Sequence, residues 1–262
     1  GVCLPAVLSI LDVYPLGRLS ASQKWIASHD SRRVWLEKIS FWIMSFVGAI
    51  AAMYGQRGVG GMSALESFGP VHRLALASFG SAFYVRKTLL PVQLSPLYEI
   101  PTNFDPWQLP FILPAVASLA ITAIALRWAR HWPAVLAVWL SYLFLLTPVS
   151  GLAQTGGQLA ADRYSYLPCL GFALLLGGTA LRTVLSRTGT WPVRALVALG
   201  LLLCVGLGFQ TWRQSAIWRN TTTLWTHALT IDPKSSVAYN NAAKAPLREN
   251  RLPEAARLLE KA

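Results

Sequence analysis

The sequence predicts an all-α protein: a polytopic transmembrane helix bundle followed by the start of a solenoid of short helical repeats. Three observations carry this. Hydrophobic residues make up 54% of the chain and charged ones only 13%, a balance outside the range of soluble domains. Five charge-free windows, residues 39–56, 108–126, 133–158, 164–181 and 195–212, are each long enough to cross about 30 Å of hydrocarbon. After Trp212 the composition turns polar, and similar residues recur 34 positions apart, a spacing typical of helical repeats.

Taken in order, residues 1–16 read as the closing turns of a membrane helix, ended by Pro15 and Gly17. Residues 18–38 read as a polar loop in which Trp25 and Trp35 alternate with charges, partly an amphipathic segment on the bilayer. Residues 74–85, bounded by His72-Arg73 and Arg86-Lys87, add a short sixth helix, read as spanning with snorkelling ends in preference to lying on the surface. Pro110, Pro114 and Pro133 fall in first turns, where a missing N–H is tolerated. Trp107, Trp128, Trp132, Trp191 and Trp212 sit near window ends, as interfacial belts do.

With six helices counted, the loops sort onto two faces. One carries Arg57, Arg73, Arg127, Arg130, Arg182, Arg187 and Arg194, with Glu66 its only acid. The other carries residues 18–38, 91–107, 150–163 and the C-terminal tail. The positive-inside rule makes the first face cytoplasmic and the tail extracytoplasmic, although the basic 18–38 segment then falls on the wrong side. The expected localisation is a bacterial inner membrane, multi-pass, with the repeats outside. The chain opens on Gly1 without a Met and stops inside a helical pattern, so it is expected to be an internal piece of a longer protein.

The expected domains are residues 1–212, transmembrane, and 213–262, repeat. Trp225 and Leu259, and likewise Ala228 and Ala262, are 34 apart, the tetratricopeptide period. Pro233 closes one helix pair and Ala255 occupies a small packing position. Ala243 stands where the first repeat helix usually has Gly. Pro246 should kink that helix, at about 3 kcal/mol for an interior position. A single repeat cannot bury its own face, so further repeats are expected to follow.

Several function classes are excluded. The net charge is +12, but Lys and Arg are scattered between apolar runs, so nucleic acid is not an expected partner; anionic head groups are. His29, His72, His131 and His227 show no metal-ligand spacing, and no metal or cofactor is expected. Residues 55–61 are Gly-rich but lack the Lys-Ser/Thr of a phosphate loop. Cys3, Cys169 and Cys204 lie in apolar segments and read as small buried hydrophobes. Asn220-Thr221-Thr222 is a glycosylation sequon, meaningful only in a eukaryotic lumen. A transporter would place polar residues inside the spanning windows, which have almost none.

Chemistry concentrates at Ala161-Asp162-Arg163-Tyr164-Ser165-Tyr166-Leu167-Pro168, at the head of an apolar run. Arg163 has two readings. It is an interfacial anchor paired with Asp162, or it is a lipid-phosphate ligand whose planar guanidinium forks onto two oxygens while Tyr164 donates further. Lys87, in Tyr84-Val85-Arg86-Lys87-Thr88-Leu89-Leu90-Pro91, emerges on the same face and is either a second phosphate ligand or an interfacial lysine. Glu99, in Leu94-Ser95-Pro96-Leu97-Tyr98-Glu99-Ile100-Pro101, and Asp105 read as solvated loop acids. Asp12 reads as a helix cap, or as joining the site with Tyr14 and Arg18.

These segments, together with Leu11-Asp12-Val13-Tyr14-Pro15-Leu16-Gly17-Arg18 and the run from Trp225 to Pro233, occur in a fixed order before the repeat. That ordered set resembles bacterial relatives of the transmembrane and tetratricopeptide-repeat O-mannosyltransferases, of the GT-C glycosyltransferase class. The resemblance implies a membrane enzyme that takes sugar from a polyprenyl-phosphate donor and glycosylates an acceptor protein presented by the repeats. It implies a catalytic acid in an external loop upstream of Gly1, so no catalytic residue is assigned here. It makes Asp162, Arg163 and Tyr164, with Lys87, the donor-phosphate side. The rival expectation is a non-catalytic, membrane-anchored repeat scaffold.

Overall fold

The computed structural model describes residues 2–19, 29–58, 69–101, 104–152, 158–186 and 190–262. Expectations resting on Lys24, Trp25, Glu66, Arg187 and residues 59–61 lie outside the described residues, as do the side chains of His29, Arg57 and Trp191. The described residues form ten α-helices: α1 (Leu4–Val13), α2 (His29–Gly58), α3 (Pro70–Leu89), α4 (Leu109–Arg127), α5 (Pro133–Leu146), α6 (Tyr166–Ser186), α7 (Thr190–Ile217), α8 (Thr221–Ile231), α9 (Ser236–Arg248) and α10 (Leu252–Leu259). Strand is confined among them to β1 (Tyr98–Glu99) and β2 (Gln158–Ala160). The all-α prediction holds.

Among the described residues, four stretches are long and apolar enough to cross a membrane: Ser31–Gly55, Leu109–Arg127, Asp162–Ser186 and Val193–Ile217. Most of their apolar side chains are uncovered by protein. On α7, Leu201, Leu202, Leu203, Val205 and Phe209 are all exposed, which only a hydrocarbon solvent makes favourable. Cys204 shares this surface and is exposed, not a buried hydrophobe as its composition suggested. The chain is thus a multi-pass integral membrane protein.

Two windows differ from expectation. Among the described residues, the α-helix of the 133–158 window stops at Leu146, followed by a 3₁₀ turn at Thr147–Val149, because Pro148 has no N–H to extend the helix. At the helical rises of α and 3₁₀ structure, the two together still reach about 27 Å. In the other direction, α2 extends back to His29, so half of the predicted 18–38 loop is helical.

Contacts divide the chain into two units. One comprises Gly1–Leu89, Pro101–Leu159 and Tyr164–Leu175; the other Leu90–Ile100, Ala160–Arg163 and Leu176–Ala262.

In the first unit, α1 ends where Tyr14 turns extended and Gly17 adopts φ +62, a left-handed backbone that favours glycine. Asp12 does not cap this helix. It is buried, ion-paired with the equally buried Lys38 and, at 3.2 Å, with Arg18. Arg18 also pairs with Glu37, a hydrogen bond that raises the guanidinium pKa further. Arg33 and Glu37 add an i,i+4 pair. These charges draw the start of α2 into helix against α1.

The core of this unit surrounds α3, whose Leu76 and Tyr84 are almost fully buried. Ser81 Oγ lies 2.7 Å from Ser118 Oγ of α4, and the Tyr142 hydroxyl of α5 donates to the Ser81 carbonyl. Trp139 Nε1–H donates to Thr122 Oγ1 at 2.9 Å, closing the α4–α5 hairpin. Gly171 of α6 lets Val138 approach, since a Cβ there would lie 3.1 Å from Val138 Cγ1.

Residues 74–85, read as a short spanning helix, form the middle of the longer α3. At the start of α3, the His72 ring lies 5.5 Å from that of Phe104, just before α4, and Arg73 Nη1 donates to the Leu152 carbonyl, just after α5. At its end, Thr88 Oγ1 donates to Cys169 Sγ at 3.0 Å, in the first turn of α6. The middle of α3 packs on the middle of α4 through Ser81 and Ser118, and α3 is not among the four stretches long and apolar enough to cross a membrane.

In the second unit, α7 runs past Trp212 to Ile217 before α8, α9 and α10 pack one on the next. Asn220 caps α8, accepting from Thr223 N–H at 2.8 Å, so the sequon asparagine serves as a helix cap. Ala228, Ala238, Ala243 and Ala255 are buried at the helix contacts. Pro246 does not interrupt α9. It falls in the last turn, and the helix closes with Arg251 N–H to the Pro246 carbonyl and Asn250 N–H to that of Leu247, with Asn250 at φ +59.

Candidate functional site

Asp162 and Arg163 open a 3₁₀ turn, Asp162–Ser165, that leads directly into α6. This places two charges where a membrane span begins. Asp162 Oδ2 accepts the Ser95 backbone N–H at 2.6 Å and the Tyr98 hydroxyl at 2.9 Å, and the Asp162 N–H meets the Ser95 carbonyl at 3.4 Å. Arg163 Nη1 donates to the Pro96 carbonyl at 2.8 Å while the side chain as a whole stays exposed. The acid therefore anchors the Ser95–Tyr98 loop, and the base is presented beside it. The Asp162 carboxylate thus receives two hydrogen bonds, and the Arg163 guanidinium is tied to the same loop through Nη1.

The loop is stiffened from within. Ser95 Oγ donates to the Leu97 carbonyl at 2.9 Å, and the Tyr98 hydroxyl lies 2.7 Å from the Gln93 carbonyl. Pro96 fixes its own φ. The Tyr98 hydroxyl has a single proton to share between Gln93 and Asp162, and it accepts the Ser95 N–H at 3.1 Å in turn.

Tyr164 is half-buried in the same 3₁₀ turn. Lys87 lies in the first unit, buried on α3, with its ammonium 5.6 Å from the centroid of Phe83. Asp105 turns its carboxylate onto the Trp107 N–H at 3.0 Å.

Glu99 is not the solvated loop acid its sequence context suggested. Its two oxygens accept the hydroxyls of Ser235 at 2.7 Å and Ser236 at 2.8 Å, and the Val237 N–H approaches at 3.4 Å. The carboxylate thus sits on the first turn of α9, where the helix dipole favours an anion. Ser95, Tyr98 and Glu99 were the residues whose roles composition and spacing did not reveal. The one visible hint was the pair of residues able to donate or accept, Ser95 and Tyr98, on either side of a proline.

Among the described residues no three His, Cys, Asp or Glu side chains converge to hold a metal ion.

No protein-family model and no solved structure matches the chain. Curated proteins do. The chain is 31% identical to Protein O-mannosyl-transferase Tmtc2 of Drosophila melanogaster over 135 residues, 51% of this chain and 14% of that protein. It is 31% identical to Protein O-mannosyl-transferase Tmtc1 of the same organism over 111 residues, 42% of this chain and 13% of that one. Against Protein O-mannosyl-transferase TMTC1 of Mus musculus it is 31% identical over 191 residues, 67% of this chain and 20% of the relative. The chain spans a fifth or less of the length of these curated relatives. Over part of its sequence it resembles protein O-mannosyl-transferases.

Proposed function

We propose that the chain is the donor-holding part of an integral membrane glycosyltransferase that takes sugar from a polyprenyl-phosphate carrier. In this reading residues 213–262 begin a tetratricopeptide array that presents the acceptor protein on the extracytoplasmic side. The observation that carries it is the exposed Arg163 at the mouth of a membrane span, held beside a loop by its own carbonyl contact while Asp162 is engaged by Ser95 and Tyr98. The similarity to protein O-mannosyl-transferases supports the same class of reaction.

Transfer breaks the bond between the sugar and the carrier phosphate and forms one to an acceptor hydroxyl. Negative charge grows on the departing phosphate. Arg163 answers it with a fixed cation that needs no reorganisation, Asp162 holds the turn, and Tyr164 supplies a flanking hydroxyl. Losing a positioned donor of this kind typically costs 100- to 1000-fold in rate. In the full-length protein, Arg163→Ala should therefore lower transfer from a polyprenyl-phosphate sugar by about that factor while membrane insertion is kept. An unchanged rate would sink the assignment.

One observation favours a second reading, a membrane-anchored scaffold. A groove of about 630 Å³ opens between α8 and α9, lined by Trp225, Asn241, Lys244 and Arg248 among others. A peptide lodged there would need no chemistry at Arg163. Transfer activity in the full-length protein separates the two.

A further inference from the structure

The segment Leu90–Ile100 is gripped from two directions by groups far away in sequence. From one direction come Asp162, through Ser95 and Tyr98, and Arg163, through Pro96. From the other come the last span, α7, and the helices that follow it. Gln210 Nε2 donates to the Pro91 carbonyl at 2.9 Å, and His227 Nε2 lies 3.1 Å from the Leu94 carbonyl, which requires the tautomer with its proton on that nitrogen. Glu99 then holds Ser235, Ser236 and the Val237 N–H.

Tyr98 and Glu99 are neighbours in β1. Successive side chains of extended backbone point to opposite sides, which is why one reaches Asp162 and the other reaches α9. Ser235 is itself the cap of α9, accepting from Ala238 N–H at 3.1 Å while donating to Glu99. Ala238 N–H, Ser235 hydroxyl and Glu99 carboxylate thus form a chain in which each bond polarises the next.

We propose that Glu99 is a positioning residue for Arg163. By locking the Leu90–Ile100 segment to the first turn of α9, it fixes Tyr98, and Tyr98 fixes the Asp162–Arg163 turn. The purpose of that turn rests on the donor reading above; the mechanical link does not. If the link exists, the state of α8 and α9 is felt at Arg163, and occupancy at Arg163 is felt in return, because coupling between two sites is reciprocal.

The test uses the whole chain in lipid nanodiscs and two readouts: hydrogen exchange over residues 94–98, and binding of a polyprenyl phosphate without sugar. Glu99→Ala should speed exchange of those amides at least about tenfold and weaken polyprenyl-phosphate binding at least about fivefold, the lower end of usual inter-site coupling. Glu99→Gln, which keeps one acceptor oxygen, should restore part of both. Tyr98→Phe attacks the link from its other end without touching α9 and should change both in the same direction. Exchange in Glu99→Ala equal to that of the wild type overturns the proposal. Faster exchange with unchanged binding, while Arg163→Ala abolishes binding, also overturns it and leaves the donor reading standing. If the wild type does not bind polyprenyl phosphate, the donor reading falls, and exchange alone decides whether Glu99 secures the segment.

Discussion

Asp12 shows how a single residue changes meaning once its partners are known. Next to a helix end it reads as a cap, yet it is buried with Lys38 and joined by Arg18. A buried charge stripped of its partner is costly, about 3–5 kcal/mol, whereas removing both charges together is often close to neutral. Asp12→Ala should therefore lower stability by about 3 kcal/mol or more, read as thermal unfolding in detergent. The pair Asp12→Leu with Lys38→Met should recover most of the loss, and failure to recover would show the charges acting in some other way. Arg163 is the opposite case. A charge at the head of an apolar run is visible in sequence, because position alone makes it unusual. Its neighbours were not visible: Glu99 meets Ser235 and Ser236 across more than a hundred residues, and no spacing rule encodes that.

Among the elements, the spans were legible because about twenty apolar residues leave few alternatives. The helix α3 was not. Its composition allows it to cross or to lie across, and it is not among the four stretches long and apolar enough to span. We propose that α3 does not cross; the residues around Arg18, Arg33 and Lys38 would then share a side with Arg127, Arg130, Arg182 and Arg194, as the positive-inside rule asks. Arg73, once assigned to that face, is instead buried against Leu152. Cysteines placed singly at Arg33 and Arg130 should then be labelled by a membrane-impermeant maleimide from one side, and those at Trp107 and Ser215 from the other. Labelling of Arg33 together with Trp107 would restore α3 as a span. The shortening of α5 has a local cause in Pro148, which the charge-free window concealed.

At the scale of the whole molecule, one short segment gathers bonds from far along the chain. Leu90–Ile100 sits between α3 and α4 in the chain, yet it is bonded to the Asp162 turn and to α7, α8 and α9. The apolar windows made the four spans readable. The bonds of Leu90–Ile100 were not readable, because they depend on tertiary placement. The central claim, that the Arg163 turn holds a lipid-linked phosphate, is tested most directly by photo-crosslinking. A polyprenyl phosphate carrying a diazirine near its head group, reacted with the full-length protein in nanodiscs, should give adducts on peptides covering residues 94–99 and 160–164. Those adducts should disappear in Arg163→Ala. Adducts confined to the lipid-exposed face of α7, unaltered by the substitution, would contradict the account.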